Sequence, residues 1–249
     1  MQLNYPMTRS GLYILKKEHF DAIATDILAE YQPDALSSPQ PLNIEYLATE
    51  CLFLDMYPAR LSIDGSILGL IAFSDTQYSG FDMTNNPLLY NVPEGTVLLD
   101  ISLDNSKHPG RKRFTQAHEV SHWICHRTHH SPNKRRYNFC QKESCPAIAC
   151  RLERMEYPEK SAIGTWTDED WEEWQANNLA AALLMPKYPF LEAFYDVARY
   201  HGLRDDVLTW EDNLDRSNAI IEDLKKIFNV SRRAAELRMV RCGVIKRQK

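Results

Sequence analysis

RFTQAHEVSHWICH, residues 113–126, contains His118-Glu119-Val120-Ser121-His122, and this H-E-x-x-H decides how the rest of the chain is read. Phe114, Ala117, Val120, Ser121 and Ile124 recur at helical spacing, so a helix is predicted from Pro109 onward. Residues four apart lie one turn above each other on one helical face. Two imidazoles so placed can reach one Zn²⁺ at about 2.0–2.1 Å, with the adjacent Glu119 carboxylate over a bound water. With 8 histidines in 249 residues an accidental match is expected about 0.02 times, which favours a metal site over a surface helix that happens to carry a histidine pair. The apolar neighbours, Trp123 among them, bury the helix and point the same way.

Two histidines leave such a metal one protein ligand short, because catalytic zinc takes three plus an open position. A third histidine six residues beyond His122 is missing, since Thr128 stands there. His126 lies one further turn along, but each four-residue step rotates by about 40°. It is read as a helix C-terminal residue favoured by the dipole. His129 and His130 follow as loop residues, in solvent or leaning into a cleft. A better third ligand lies in DEDWEEWQANNLAAALLMP, residues 168–186. There Glu173 and Asn177 are one turn apart, and Ala176, Ala180, Ala181 and Leu184 form a small-residue face able to pack closely on the first helix. Glu173 can complete the metal site and Asn177 can orient a ligating imidazole. Glu172 is the competing carboxylate, about 100° round the helix. The alternative for all these acids is a solvated N-terminal turn favoured by the dipole.

These segments resemble a known family. RFTQAHEVSHWICHR is similar to the R-F-T-x-A-H-E-x-x-H segment of the ImmA/IrrE-type metallopeptidases, and EWQANNLAAALLMP, residues 173–186, to their E-x-x-A-N-x-F-A-x-x-L-L-M-P. LKKIFNVSRRAAELRMVRCGVI, residues 224–245, is similar to the family's less specific closing helix-turn-helix-like pattern. The resemblance implies a zincin-like α+β fold, with a small mainly antiparallel sheet, an active-site helix and a C-terminal helical segment. It implies one catalytic Zn²⁺ held by His118, His122 and Glu173, with Glu119 as general base. The implied reaction is cleavage of a peptide bond in a protein, of the kind represented by helix-turn-helix repressors that control a mobile element or a stress response. Leu179 stands where the family often has Phe, and Ser121 where Gly is common; neither change removes a catalytic group. Hydrolysis also needs a donor to the developing oxyanion, for which His129, His130 and Tyr188 are the candidates.

Composition sets the frame. Hydrophobic residues make up 44% and charged residues 25%, ordinary values that argue against wholesale disorder. A net charge of −5 gives nucleic-acid binding no help from the overall field. No apolar run reaches the length of a signal peptide or a membrane span. The protein is therefore expected in the cytoplasm, off the membrane, with its six cysteines unpaired by disulfides. Cys140, Cys145 and Cys150 lack paired C-x₂-C knuckles, so loose thiols are favoured over a second, structural zinc. Residues 1–40 read as a helical extension, with a helix from Lys17 to Tyr31. Residues 41–204 read as the metallopeptidase domain, with a Cys-containing insertion at 131–170, and 205–249 as the helix-turn-helix-like segment. Within the domain a helix is predicted through Ile44, Leu47, Cys51 and Leu52. Strands are predicted at SILGLIAF (66–73) and GTVLLDIS (95–102), with NPLLYNV (86–92) as a third. A rival reading comes from the C-terminal pair, where Ser231 can cap a helix studded with Arg232, Arg233, Arg238 and Arg241 and so make a DNA-binding regulator. Against it, Ile220, Leu224, Ile227, Phe228 and Val230 can pack this pair onto the core, leaving the arginines in solvent.

Overall fold

The computed structural model describes residues 3–104, 109–130, 146–151, 166–203, 208–209 and 214–246. Its helices are α1 (Lys17–Tyr31), α2 (Asp34–Ser37), α3 (Ile44–Tyr46), α4 (Pro109–His130), α5 (Asp168–Leu184), α6 (Lys187–Tyr200), α7 (Leu214–Phe228) and α8 (Arg232–Arg241). Its strands are β1 (Asp55–Ala59), β2 (Ile67–Ala72), β3 (Thr76–Phe81), β4 (Pro87–Val92), β5 (Thr96–Asp100), β6 (Ala147–Arg151), β7 (Leu208–Thr209) and β8 (Ile245–Lys246). The fold is α+β and zincin-like in architecture, with the H-E-x-x-H on α4 and helices α5–α8 gathered in the C-terminal half.

The main sheet has the order β1-β5-β2-β6. β2 runs antiparallel to both β5 and β6, whereas β1 and β5 are parallel, so the sheet is mixed. The two central strands read as unbroken apolar runs because both faces are covered. Ile71, Val97 and Leu99 join the large core, while Leu70, Ala72 and Leu98 join a smaller cluster on the other face, against which Tyr78 and Tyr90 pack. NPLLYNV does form a strand, β4, but it pairs with β3 in a separate hairpin and not with the main sheet. β1 contains Pro58, which lacks an N–H and speaks against a strand; it is tolerated because β1 is an edge.

Three further elements depart from the sequence reading. β6 falls inside the segment expected to be a loop, and pairing with β2 supplies what its own pattern does not. The helix predicted through Ile44 and Leu52 splits into α3, capped by Asn43 accepting from Tyr46 N–H, and a π-helical turn at Leu47–Cys51. α6 occupies residues for which no element is predicted, starting after Pro186 and burying Phe190, Ala193, Phe194 and Ala198 at helical spacing.

α4 lies between the sheet and α5, and α1 packs on the far side of α5, with Phe20 edge-on to Trp174. The end of α5, α1 and α8 meet at Arg238, which is 2% exposed. Its Nε donates to Met185 O at 2.9 Å and its Nη2 to Asp21 Oδ1 at 2.6 Å. Removing a buried guanidinium leaves both acceptors without their donor, a loss of about 2–4 kcal/mol with Asp21 partly solvated. Arg238→Ala is therefore expected to lower the melting temperature by about 5–10 °C for a chain of this size, measured by calorimetry; a shift under 1 °C would show that these contacts contribute nothing.

Candidate metal centre

His118, Glu119 and His122 project from the middle of α4 and are completely buried. Their positions follow from the helical period: His118 and His122 share a face, and Glu119 turns toward the sheet. Gly69 of β2 makes room for it. A Cβ at Gly69 would collide with Glu119 Oε1 and lie 2.9 Å from Thr115 Cγ2, so only glycine admits the carboxylate there. On the other side α5 comes close through the fully buried Ala176 and Ala180, and brings Glu173 and Asn177 to the histidines.

The donor atoms form a compact set. His118 Nε2 and His122 Nε2 are 2.9 Å apart. His118 Nε2 is 3.5 Å from Glu173 Oε2, and His122 Nε2 is 3.6 Å from Glu173 Oε1. Ligands bonded tetrahedrally to zinc at 2.0–2.1 Å sit about 3.3 Å from one another, a value that the three separations bracket. Asn177 Oδ1 lies 3.0 Å from His118 Nδ1 and holds that ring from behind. Both oxygens of Glu119 are buried without a hydrogen-bond partner among the described residues, a costly arrangement unless a ligand completes it. Two imidazoles, a carboxylate and an orphaned second carboxylate are a fit to a single catalytic Zn²⁺.

The family model of the IrrE N-terminal-like domain, Peptidase_M78, matches residues 152–240. Over that stretch the chain is IrrE/ImmA-like. No curated protein matches it. The matched stretch includes Glu173 and Asn177, while the H-E-x-x-H lies upstream and is joined to it by the packing of α4 on α5. Motif and family match together support a zinc metallo-endopeptidase activity.

Electrostatics suit metal capture. Burial, reinforced by His122, lowers His118 to a pKa of about 4, and burial lowers His122 to about 3. Both rings are therefore neutral at physiological pH, the form that ligates a metal. Burial and then the Glu173 charge push Glu119 well above the usual carboxylate range.

The other histidines of the IrrE/ImmA-like chain depart from expectation. α4 continues to His130, so His129 and His130 are helical and not loop residues. They converge on Glu172, whose Oε1 is 2.8 Å from His130 Nε2 and 3.5 Å from His129 Nε2. Glu172 thus faces a different partner from Glu173. His126 is not at the C-terminal end of α4, which runs on to His130, and it is fully buried. Tyr188, the remaining oxyanion candidate, is 72% exposed in the first turn of α6.

Of the cysteines, Cys140 and Cys145 lie outside the described residues. Cys150 is buried on β6 opposite Gly69, with its sulfur within 4.8 Å of ligand atoms of His118 and Glu119. Gly69 and Cys150 were missed in the sequence because a glycine or cysteine in a strand carries no motif; only the β2–β6 register puts them beside Glu119. Burial raises the Cys125 thiol, which leaves it unreactive.

Two outcomes follow. His118 and His122 have folded pKa values of about 4 and about 3, below the ordinary 6.5, so below pH 6.5 the unfolded chain binds more protons than the folded one. The zinc-free protein is expected to lose stability as pH falls from about 6.5 through 4, measured as melting temperature against pH in chelator. Glu119 acts with the opposite sign, its raised pKa costing stability as pH rises, so the profile is read in the Glu119→Gln background, where a flat acid side would contradict the burial of the pair. Separately, Gly69→Ala is expected to keep zinc and lower hydrolysis about 100-fold by displacing Glu119. A Gly69→Ala protein with wild-type turnover would show that Glu119 has slack that the geometry denies.

Proposed function

We propose that this chain is a regulatory endopeptidase in which His118, His122 and Glu173 hold one Zn²⁺, Glu119 is the general base and Asn177 orients His118. Bound there, zinc supplies a Lewis acid that acidifies water and polarises the scissile carbonyl. Glu119 takes the proton of the attacking water and returns it to the leaving amine. Its high proton affinity, created by burial beside Glu173, suits a group that must hold a proton between these steps. The observation that carries the assignment is the convergence of three donor atoms around an otherwise unpartnered Glu119. His129 and His130 are engaged with Glu172, and the exposed Tyr188 is left as the oxyanion candidate.

The substrate is a protein of the helix-turn-helix repressor kind, a proposal supported by the family likeness alone. The compartment is the reducing cytoplasm, which free thiols at Cys51, Cys125 and Cys242 support; no helix among the described residues is long and apolar enough to cross a membrane. The catalytic unit is 41–204, flanked by 1–40 and 205–249, whose apolar residues enter the same core.

The DNA-binding alternative loses support from the C-terminal arginines. Arg232 bonds Glu236, Glu222 and Asn218, Arg233 lies 3.7 Å from Glu236, and Arg238 is buried on Asp21. Ile220, Leu224, Phe228 and Val230 are buried beneath them. Ser231 caps α8 by accepting from Ala234 N–H, a structural use of the same residue.

Glu119→Gln is expected to retain one zinc per chain by elemental analysis and to lose hydrolysis by about 10²–10⁴-fold. The test substrate is a helix-turn-helix repressor from the same organism, with chelator as control. Wild-type cleavage by Glu119→Gln would sink the mechanism; cleavage of other proteins but not the repressor would sink the substrate assignment alone.

A further inference from the structure

The back of His122 is held by a chain of hydrogen bonds that starts in the N-terminal segment. Gln175 Nε2 donates to Tyr13 O at 2.8 Å, which fixes the amide so that its Oε1 faces His126. That oxygen can only accept, so His126, whose Nε2 is 3.2 Å away, carries its hydrogen on Nε2. His126 is completely buried, and its two ring nitrogens face His122 and the Gln175 amide, so no acid stands at either nitrogen to hold a charged ring; the ring is neutral and its Nδ1 is bare. His126 Nδ1 lies 2.9 Å from His122 Nδ1. His122 must then donate from Nδ1, which leaves its Nε2 bare and directed at His118 Nε2 and Glu173. A bare Nε2 is what a metal needs.

We propose that His126 is a positioning residue: with Gln175 and the Tyr13 carbonyl it fixes the tautomer and ring orientation of His122, and so makes the N-terminal segment part of the metal site. The relay rests on His118, His122 and Glu173 being the zinc ligands. It parallels Asn177 behind His118, so each imidazole is backed by a hydrogen-bond acceptor. A core histidine placed only to fill space would need neither the fixed amide of Gln175 nor a nitrogen 2.9 Å from a ligand's ring. Partners of this kind set metal affinity as well as geometry, with losses of about 10–100-fold when they are removed.

The test uses the full-length protein and zinc as the probe. Zinc affinity is measured by competition with a chromogenic chelator, and imidazole ¹⁵N shifts of the zinc-free protein report the His122 tautomer. His126→Phe, which keeps bulk but accepts nothing, is expected to weaken zinc binding about 10–100-fold and to mix the two His122 tautomers. His126→Asn, whose Oδ1 replaces the lost acceptor, restores most of the affinity. Gln175→Leu, which leaves His126 in place but frees its tautomer, gives a smaller loss of the same kind, and with His126→Asn carries the test should His126→Phe not fold. Wild-type affinity in both His126→Phe and Gln175→Leu overturns the relay, as does wild-type affinity in Gln175→Leu alone should His126→Phe be insoluble. A wild-type protein that binds no zinc overturns the metal centre itself, a result distinct from a variant that binds as tightly as wild type.

Discussion

Two imidazoles and two carboxylates buried together between the middle of α4 and α5 are the constraint to which the rest of the molecule answers. Taking ionisable groups out of water costs several kcal/mol each unless they are neutral or find an opposite charge. The imidazoles meet that condition by staying neutral. The carboxylates of Glu119 and Glu173 cannot both do so without raising their proton affinity, as Glu119 shows. A divalent cation at the point where the donors converge removes the conflict, since it supplies the missing positive charge and uses the nitrogens in their neutral form.

Packing around the site is built to keep it closed. α4 is clamped between β2 and α5, and each side contributes a residue lacking bulk: Gly69 under Glu119, and Ala176 and Ala180 along α5. Behind this, α1 buries Phe20, Ile23, Ala24, Ile27 and Leu28, and Arg238 ties α1 to the end of α5 and to α8. The support extends to residues far apart in the chain, Tyr13 at one end and Arg238 at the other. The histidines are thus rigidly held, as required of ligands that must keep sub-ångström positions.

Much of this was legible in the residue pattern. The 3.6-residue period gave the extent of α1 and α5, and apolar runs bounded by turns located β2 and β5. The H-E-x-x-H placed two imidazoles on one face because helical geometry is local. Other elements were hidden for identifiable reasons. Pro58 disguised β1, which survives because an edge strand can spare one donor. The β6 strand owes its existence to pairing with β2, and no local propensity announces a partner. α6 follows directly on Pro186, whose usual role as a stop obscured the new helix beginning there. The apolar pattern of α4 fades after His126, yet the helix continues for another turn because His130 stacks on Phe73 and bonds Glu172.

By itself the sequence determined the chemistry on offer: two histidines and a glutamate at fixed helical offsets, and a second helix bearing acids and small residues. Such offsets depend only on backbone geometry, which every helix shares. Which acid meets the histidines was settled by tertiary structure, because Glu172 and Glu173 differ by one residue and only the packing of α5 on α4 sends one to His130 and the other to His118 and His122. The same holds for Gly69, Gln175 and His126. Their roles arise from contacts across 49 to 162 positions of chain in the hydrogen bonds of Gln175, and long-range contact is the one thing a local pattern does not encode.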